Sequence, residues 1–362
     1  MLEGVLDGRE SAILPVPADV RSAELLTTSL GIGEEIDDDV AVVVSTSGTT
    51  GAPKGAMLTA PALIASASAT HDRLDGPGTW LLALPAHHVA GLQVMVRSIL
   101  AGTVPVAIDP SFDSAELPAA IEALGSGPRY ASLVAVQLAK ALGDPAATAA
   151  LADLDAVLIG GGPMPAAVGE SAAAAGIRVV RTYGMSETAG GCVYDGVALD
   201  GVDVRIDDGR VVLGGATLAK GYRKPVDPDP FSEAGWFRTD DLGALDDSGV
   251  LRILGRVDDA IGTGGLTVLP HVVEAALMTH PAVSDCAVFG VTDERLGQRV
   301  AVAVVLAAGA DAPAVAELRT HVEQTLDATA APRELHVVDA LPRRGIGKVD
   351  RRELATRFDA GA

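Results

Sequence analysis

Ser45-Thr46-Ser47-Gly48-Thr49-Thr50-Gly51-Ala52-Pro53-Lys54-Gly55 follows the apolar run Val40 to Val44. The apolar run reads as a buried strand. The segment after it is built to grip an anion. Glycines let backbone N–H groups approach closely, the hydroxyls of Thr46, Ser47, Thr49 and Thr50 add donors, and Lys54 adds charge. The order is not G-x-x-x-x-G-K-[ST], because Pro53 precedes the lysine and Gly55 follows it. A P-loop kinase or GTPase is therefore disfavoured. A plain surface turn uses the same residue types, but eleven specified positions directly after a buried strand favour a phosphate loop.

Working outward, short apolar strands alternate with helical stretches. Thr79–Leu84, Val104–Ile108, Tyr130–Val134, Ala156–Ile159 and Ile177–Arg181 read as strands. Val89–Leu100, Ala115–Leu124, Val136–Leu142 and Pro165–Ala175 read as helices. This alternation predicts a layered α/β domain with a largely parallel sheet. From Val202 to Val212 the pattern changes to short strands around Asp207-Asp208-Gly209, which predicts antiparallel pairing. Beyond Gly255–Asp259 a smaller α+β unit is expected. It has helices at Leu269–Met278 and Pro313–Thr325 and strands at Ser284–Phe289, Arg299–Val305 and Leu335–Val338.

The bulk composition narrows the function. A chain of 362 residues can bury one large core and one smaller one. Hydrophobic content of 48% and charged content of 21% are those of a globular protein. The apolar runs are too short for a membrane span, and Met-Leu-Glu-Gly-Val-Leu-Asp lacks the basic start of a secretory signal. Two cysteines, Cys192 and Cys286, suggest neither a disulfide framework nor a metal cluster, and a reducing cytoplasm fits. The net charge of −21 argues against nucleic acid as a partner. Anionic substrates must then be held by local donors against the overall field.

Further motifs follow in order. Pro85-Ala86-His87-His88-Val89-Ala90-Gly91, Gly160-Gly161-Gly162-Pro163 and Tyr183-Gly184-Met185-Ser186-Glu187-Thr188 lie in the first half. Gly235 to Gly243, Gly255 to Asp259 with Gly264-Gly265, and Leu341 to Arg351 lie in the second. Together with the phosphate loop, this series resembles the adenylate-forming superfamily of acyl-CoA synthetases, nonribosomal peptide adenylation domains and luciferases. The resemblance runs from about residue 40 to the end. It implies a large domain over 1–257 and a small mobile domain over 258–362. Only 44 residues precede the loop, so the first subdomain is expected to be truncated, which suits a small acid, a homo-oligomer, or both.

The resemblance implies roles residue by residue. Thr46, Ser47, Gly48, Thr49, Thr50, Gly51 and Lys54 would bind the ATP triphosphate. Glu187 would hold Mg²⁺, a cation bound through one or two carboxylates plus substrate phosphates. Gly161, Gly162, Tyr183, Gly184 and Ser186 would also bind ATP, the glycine turn on the adenine side and Tyr183 stacked on the adenine. Asp241 would bind the ribose, although Asp240 replaces the usual glycine beside it, and Arg256 would reach ribose or phosphate. Lys348 would neutralise charge as a carboxylate attacks the α-phosphorus. His88 joins it in the catalytic set by lining and gating the acyl pocket, not as a general base. Asp258 would be the hinge, with Gly264 and Gly265 on the coenzyme A side. His71, His271, His280, His321 and His336 are scattered and read as structural.

Local phrases resemble the family's aryl-acid CoA ligases of menaquinone biosynthesis, including short actinobacterial members. They include Pro85 to Leu92, Ala131-Ser132-Leu133-Val134 leading to Gln137-Leu138, and Gly215 to Gly221 ending in Gly-Tyr. Such a substrate has a second carboxylate that needs a partner. Arg97, nine residues after His88 on the same predicted helix, is the candidate, against the alternative of a surface arginine. Ser132 and Gln137 could add donors, while Gly184, Met185 and Gly190-Gly191 could shape the aryl slot. A ligase for another small aryl or aliphatic acid, and a non-enzymatic nucleotide-binding paralogue, remain as alternatives. Intact Lys54, Glu187, Asp241 and Lys348 argue against the paralogue.

Overall fold

The computed structural model describes residues 1–46, 53–344 and 348–359, with backbone alone at Arg344 and Lys348. The chain divides into two units. The first comprises Met1–Arg205, Val212–Thr239 and Leu245–Leu251; the second comprises Ile206–Val211, Asp240–Ala244 and Arg252–Ala362.

In the first unit, α1 (Leu2–Leu6) and α2 (Val20–Ser29) precede β1 (Val40–Val44), whose five residues are all buried. It pairs antiparallel with β2 (Ala56–Thr59). Thr59 then caps α3 (Ala60–Arg73), its hydroxyl accepting from Ala62 N–H at 3.2 Å. The main strands are β3 (Thr79–Leu82), β4 (Val106–Ala107), β5 (Arg129–Val134), β6 (Ala156–Gly160) and β7 (Val179–Met185). They continue into β8 (Gly190–Tyr194) and β9 (Val197–Ala198). The sheet order is β4-β3-β5-β6-β7-β8-β9, parallel as far as β7 and antiparallel beyond it.

Parallel neighbours need crossovers. These are α4 (Val89–Ala101), α5 (Leu117–Glu122), α6 (Ala135–Leu142), α7 (Pro145–Ala152) and α8 (Ala166–Ala174). Covered on both faces, the central strands are near-continuous apolar runs, as in Tyr130–Val134, which is buried throughout. Leu81, Leu133, Leu138, Leu151 and Ile159 share one core, and Val42, Leu58, Leu63, Leu92 and Val96 share another.

This topology positions the site. Ligands of open α/β sheets bind outside the carboxyl ends of the strands. Pro85–Gly91 follows β3, Gly160-Gly161-Gly162 ends β6, and Tyr183–Thr188 ends β7. Register keeps these ends adjacent, with Leu82 opposite Ser132, Val134 opposite Gly160, and Ile159 opposite Arg181.

Further along lie β10 (Val202–Asp207), β11 (Arg210–Gly215), β12 (Trp236–Leu245) and β13 (Leu251–Arg256). Asp208 and Gly209 turn between β10 and β11 with φ of +49° and +76°, the paired positive values of a tight hairpin.

The second unit contains β14 (Ile261–Thr263), β15 (Leu266–Val268), α9 (Pro270–Leu277), β16 (Val283–Asp293) and β17 (Gly297–Leu306). These lead to α10 (Val315–Val322), β18 (Glu334–Val337), β19 (Arg343–Arg344), β20 (Lys348–Val349) and α11 (Arg351–Asp359). The strand order is β15-β14-β17-β16, with β18 parallel to β17. Strand alternation serves two faces. Val300, Val302 and Val304 of β17 join the core under α9 and α10, whereas Ala301 and Ala303 join Phe289, Leu341 and Leu354 under α11. Among the described residues no helix is long and apolar enough to cross a membrane.

Several expected elements shift. The strand expected at Val104–Ile108 forms only at Val106–Ala107. The helix expected at Ala115–Leu124 divides into a 3₁₀ turn at Ser114–Glu116 and α5. The strand expected at Ile177–Arg181 starts later and runs on to Met185, so it carries the Tyr183 motif itself.

Candidate active site

One corner of the first unit brings Lys54 and Glu187 to the same tyrosine, Tyr222. Ser47, Gly48, Thr49, Thr50 and Gly51 lie outside the described residues. At the loop's edge, Thr46 Oγ1 is buried and has no hydrogen-bond partner among them. On the far side the chain is gripped by residues 219–224. Lys224 N–H donates to the Lys54 carbonyl (3.0 Å), Arg223 N–H to Gly55 (2.7 Å), and Met57 N–H to Gly221 (2.9 Å). That pairing sets Tyr222 beside Lys54, whose Nζ stands 5.2 Å from the ring centroid. Ala219 N–H donates to the Glu187 carbonyl at 2.8 Å, and Tyr222 Oη donates to Glu187 Oε1 at 2.6 Å.

Local chemistry fixes Glu187. A 3₁₀ turn at Ser186–Thr188 ends β7. Thr188 Oγ1 accepts from Met185 N–H (3.0 Å) and donates to the Gly190 carbonyl (2.8 Å). Gly184 is required, because a Cβ there would lie 2.0 Å from the Gly190 carbonyl oxygen. The carboxylate is 8% exposed. Among the described residues no group of three or more His, Cys, Asp or Glu could cage a metal. One protein carboxylate, linked through Tyr222 to Lys54, fits Mg²⁺, which keeps its other sites for phosphates and water.

On the adenine and acyl side, Gly161 adopts φ +79°, and a Cβ at Gly160 would lie 2.4 Å from Thr182 Oγ1. Gly162 has open space where a Cβ would stand. Tyr183 pairs with Val193 across β7 and β8, and Met185 with Gly190. His88 is the N-cap of α4, its ring 4.3 Å from that of His87. Burial, then the neighbouring His87, pushes the His88 pKa down to about 4. The imidazole is therefore neutral at ordinary pH and unsuited to carrying a charge there. The sequence reading missed Gln93, one turn along α4. It is fully buried, donates to the Leu63 carbonyl (3.3 Å), and its Cγ is 3.1 Å from where a Gly190 Cβ would be.

Arg97 is not a surface arginine. It is 3% exposed, its guanidinium stacked 4.8 Å over Trp80. Thr70 Oγ1 lies 2.9 Å from both the Ser66 carbonyl and Tyr194 Oη. The carbonyl can only accept, so the Thr70 proton goes to it and Tyr194 donates to Thr70. Tyr194 Oη then accepts from Arg97 Nη2 at 3.3 Å. Among the described residues no carboxylate pairs with Arg97, and its Nε has no partner. Burial holds its pKa below the ordinary arginine value. His71, read as structural, is buried in the same region; burial and then the charge of Arg97 lower its pKa. Ser132 is buried on β5. The Gln137 amide is engaged locally, Oε1 accepting from Val134 N–H (3.0 Å) and Nε2 donating to the Ala83 carbonyl (3.0 Å).

The second unit holds the remaining candidates. Arg256 grips Asp258 with both ends of its fork (2.8 and 3.0 Å) and reaches Asp241 at 3.4 Å and Asp240 at 3.6 Å. Burial opposes its charge, but Asp258 and then Asp241 outweigh that and raise its pKa. Asp241 is 8% exposed, whereas the Asp240 side chain is half exposed, which separates the two adjacent carboxylates. Gly264 and Gly265 turn between β14 and β15 with φ of +60° and +81°. Lys348 lies in β20 opposite Arg344; its side chain, with Gly345, Ile346 and Gly347, falls outside the described residues. Just after it, Arg351 donates through Nη2 to both Glu274 oxygens (2.8 Å each), through Nη1 to Asp259 (3.2 Å), and through Nε to the Val288 carbonyl (3.1 Å).

The chain is similar to known proteins along most of its length. The AMP-binding enzyme family model matches residues 14–222, and that of the AMP-binding enzyme C-terminal domain matches 272–348. A probable 2-succinylbenzoate–CoA ligase of Mycobacterium tuberculosis (strain CDC 1551 / Oshkosh) is 67% identical over 362 residues, 99% of this chain and 94% of that protein. The o-succinylbenzoate CoA synthetase of Bacillus subtilis in complex with its acyl-adenylate intermediate superposes with a TM-score of 0.76 at 29% identity. That match covers 87% of this chain and 69% of the synthetase. The same enzyme in complex with ATP and magnesium gives a TM-score of 0.75 at 29% identity, over 89% and 72% of the two chains.

Proposed function

The chain belongs to the AMP-binding enzyme family, and from that premise we propose that it is an ATP-dependent acid–CoA ligase. It converts 2-succinylbenzoate to its coenzyme A thioester through an acyl-adenylate, as a step of menaquinone biosynthesis. The observation that carries this reading is the 67% identity, over 99% of the chain, to the mycobacterial ligase.

In the first half-reaction a substrate carboxylate oxygen attacks the α-phosphorus of ATP. The bond to the bridging oxygen breaks and pyrophosphate leaves. Thr46, Ser47, Gly48, Thr49, Thr50, Gly51 and Lys54 hold the triphosphate. Gly161 and Gly162 hold the adenine side with Tyr183 stacked on the ring, Gly184 and Ser186 complete the ATP site, Asp241 binds the ribose, and Arg256 reaches ribose or phosphate. Glu187 would hold Mg²⁺ together with the substrate, and the cation would supply charge neutralisation for the leaving pyrophosphate. Lys348 approaches the carboxylate and α-phosphate. In the second half-reaction the coenzyme A sulfur attacks the acyl carbon, the carbon–oxygen bond to phosphate breaks, AMP leaves, and the thiol proton passes to solvent. Residues 258–362 turn about Asp258 between the steps, bringing Gly264 and Gly265 to the coenzyme A side.

His88, Met185 and Gly184 line the acyl pocket, with Ser132 and Gln137 behind it. Arg97 receives the second carboxylate. A buried guanidinium with no carboxylate partner is costly to keep, and a ligand carboxylate removes that cost. We place the enzyme in the cytoplasm, where the buried free thiols Cys192 and Cys286 stay reduced, and read it as a homo-oligomer. Pyrophosphate release tests the reading: it is expected to require 2-succinylbenzoate, with thioester appearing only when coenzyme A is added. Release without the acid, or acyl-adenylate that coenzyme A cannot consume, would refute it.

A further inference from the structure

Glu187 and Lys54 come from distant parts of the sequence, and one side chain touches both. Tyr222 lies on the segment that pairs with residues 54–57. Its hydroxyl donates to Glu187 Oε1 at 2.6 Å, and its ring lies under the Lys54 ammonium at 5.2 Å. The ring itself is held by the edge of Phe231 at 5.5 Å, and Phe231 by Phe237 at 4.7 Å. Backbone pairing locks the tyrosine from both sides, through Met57 N–H to Gly221 and Arg223 N–H to Gly55. The hydroxyl thus projects from a fixed frame onto one oxygen of a carboxylate that is itself nearly buried.

We propose that Tyr222 is the positioning residue for the metal ligand, orienting the Glu187 carboxylate and polarising one of its oxygens so that it presents a fixed geometry to a divalent cation. This rests on the reading of Glu187 as that ligand. Partners of this kind orient ligating side chains, and their loss typically lowers metal affinity ten- to a hundredfold. The Lys54 ammonium over the same ring couples the metal ligand to the phosphate loop, since a cation above an aromatic face is attracted to it.

Tyr222→Phe is a clean variant because it keeps the ring, the Phe231 contact and the face under Lys54 and removes only the hydroxyl. The measurement is Mn²⁺ binding, followed by electron paramagnetic resonance, to full-length protein holding a non-hydrolysable ATP analogue. Affinity for the metal-free analogue is measured in parallel. Tyr222→Phe is expected to weaken Mn²⁺ binding about tenfold with the analogue affinity unchanged, and Glu187→Gln to weaken it further. If Glu187→Gln weakens Mn²⁺ binding and Tyr222→Phe does not, Tyr222 only packs and the proposal fails alone. If Tyr222→Phe weakens metal and metal-free analogue equally, its role is structural and the proposal also fails. If Glu187→Gln binds Mn²⁺ like the parent, the ligand assignment itself is wrong.

Discussion

Arg97 and His88 sit on one helix and make opposite demands on charge. Arg97 remains a cation in the interior, anchored by Trp80 and by the Arg97–Tyr194–Thr70–Ser66 relay. Arg97→Ala is expected to reduce kcat/KM for 2-succinylbenzoate roughly thirtyfold, the loss of one charge-assisted contact of about 2 kcal/mol. A monocarboxylate analogue lacking the second acid is expected to be used as before; equal loss on both would make Arg97 structural. His88 has its pKa lowered from 6.5 to about 4, so the unfolded chain takes up this proton first. The associated stability is present above the ordinary histidine value and is lost as pH falls toward the folded one. His88→Asn is therefore expected to show a smaller drop in Tm than the parent between about pH 7 and about pH 4.5. The place of Arg97 on an apolar helix was legible in the sequence, and its charge suggested an anion. Its burial was not, because that depends on Trp80 and Tyr194 arriving from other strands. Tyr222 shows the same limit: a Gly-Tyr phrase carries no chemistry until the chain brings it against Glu187.

At the scale of elements, Arg351 ties three pieces of the second unit together: α11, which it begins, α9 through Glu274, and Asp259 just after β13. Burial pushes the Glu274 pKa up, and the Arg351 charge pulls it back only in part. Such a pair is costly to break singly and cheaper to replace whole. Arg351→Met is expected to cost about 3 kcal/mol in denaturant unfolding, and Arg351→Met with Glu274→Leu to recover much of it. A double variant no better than the single would show that the pair is not the source of the loss. The strands were legible because β-branched runs such as Val40–Val44 bury both faces. Helices α3 and α7 were not, since their alanine-rich stretches make no strong apolar stripe to set a period. The motif loops were read correctly as a series. That Pro85–Gly91, Gly160–Gly162 and Tyr183–Thr188 lie at the carboxyl ends of β3, β6 and β7 in one sheet follows from strand order, which pairing decides and local pattern does not.

At the scale of the whole molecule, a chain with net charge −21 must hold three anionic substrates, ATP, the dicarboxylate and coenzyme A, and pass the acyl group from one to another. Two half-reactions at one site call for different loops at different times. Lys348→Ala is accordingly expected to abolish adenylation while sparing thioester formation from preformed acyl-adenylate. Equal loss of both steps, followed by separate single-turnover assays, would contradict that division. The most direct measurement of the central claim is a panel of carboxylic acids scored by coenzyme A-dependent thioester formation in the presence of ATP and Mg²⁺. The account predicts that 2-succinylbenzoate has the highest kcat/KM, with benzoate and succinate, each lacking part of its recognition set, far below it. Preference for a monocarboxylate, or no thioester from any acid, would contradict it.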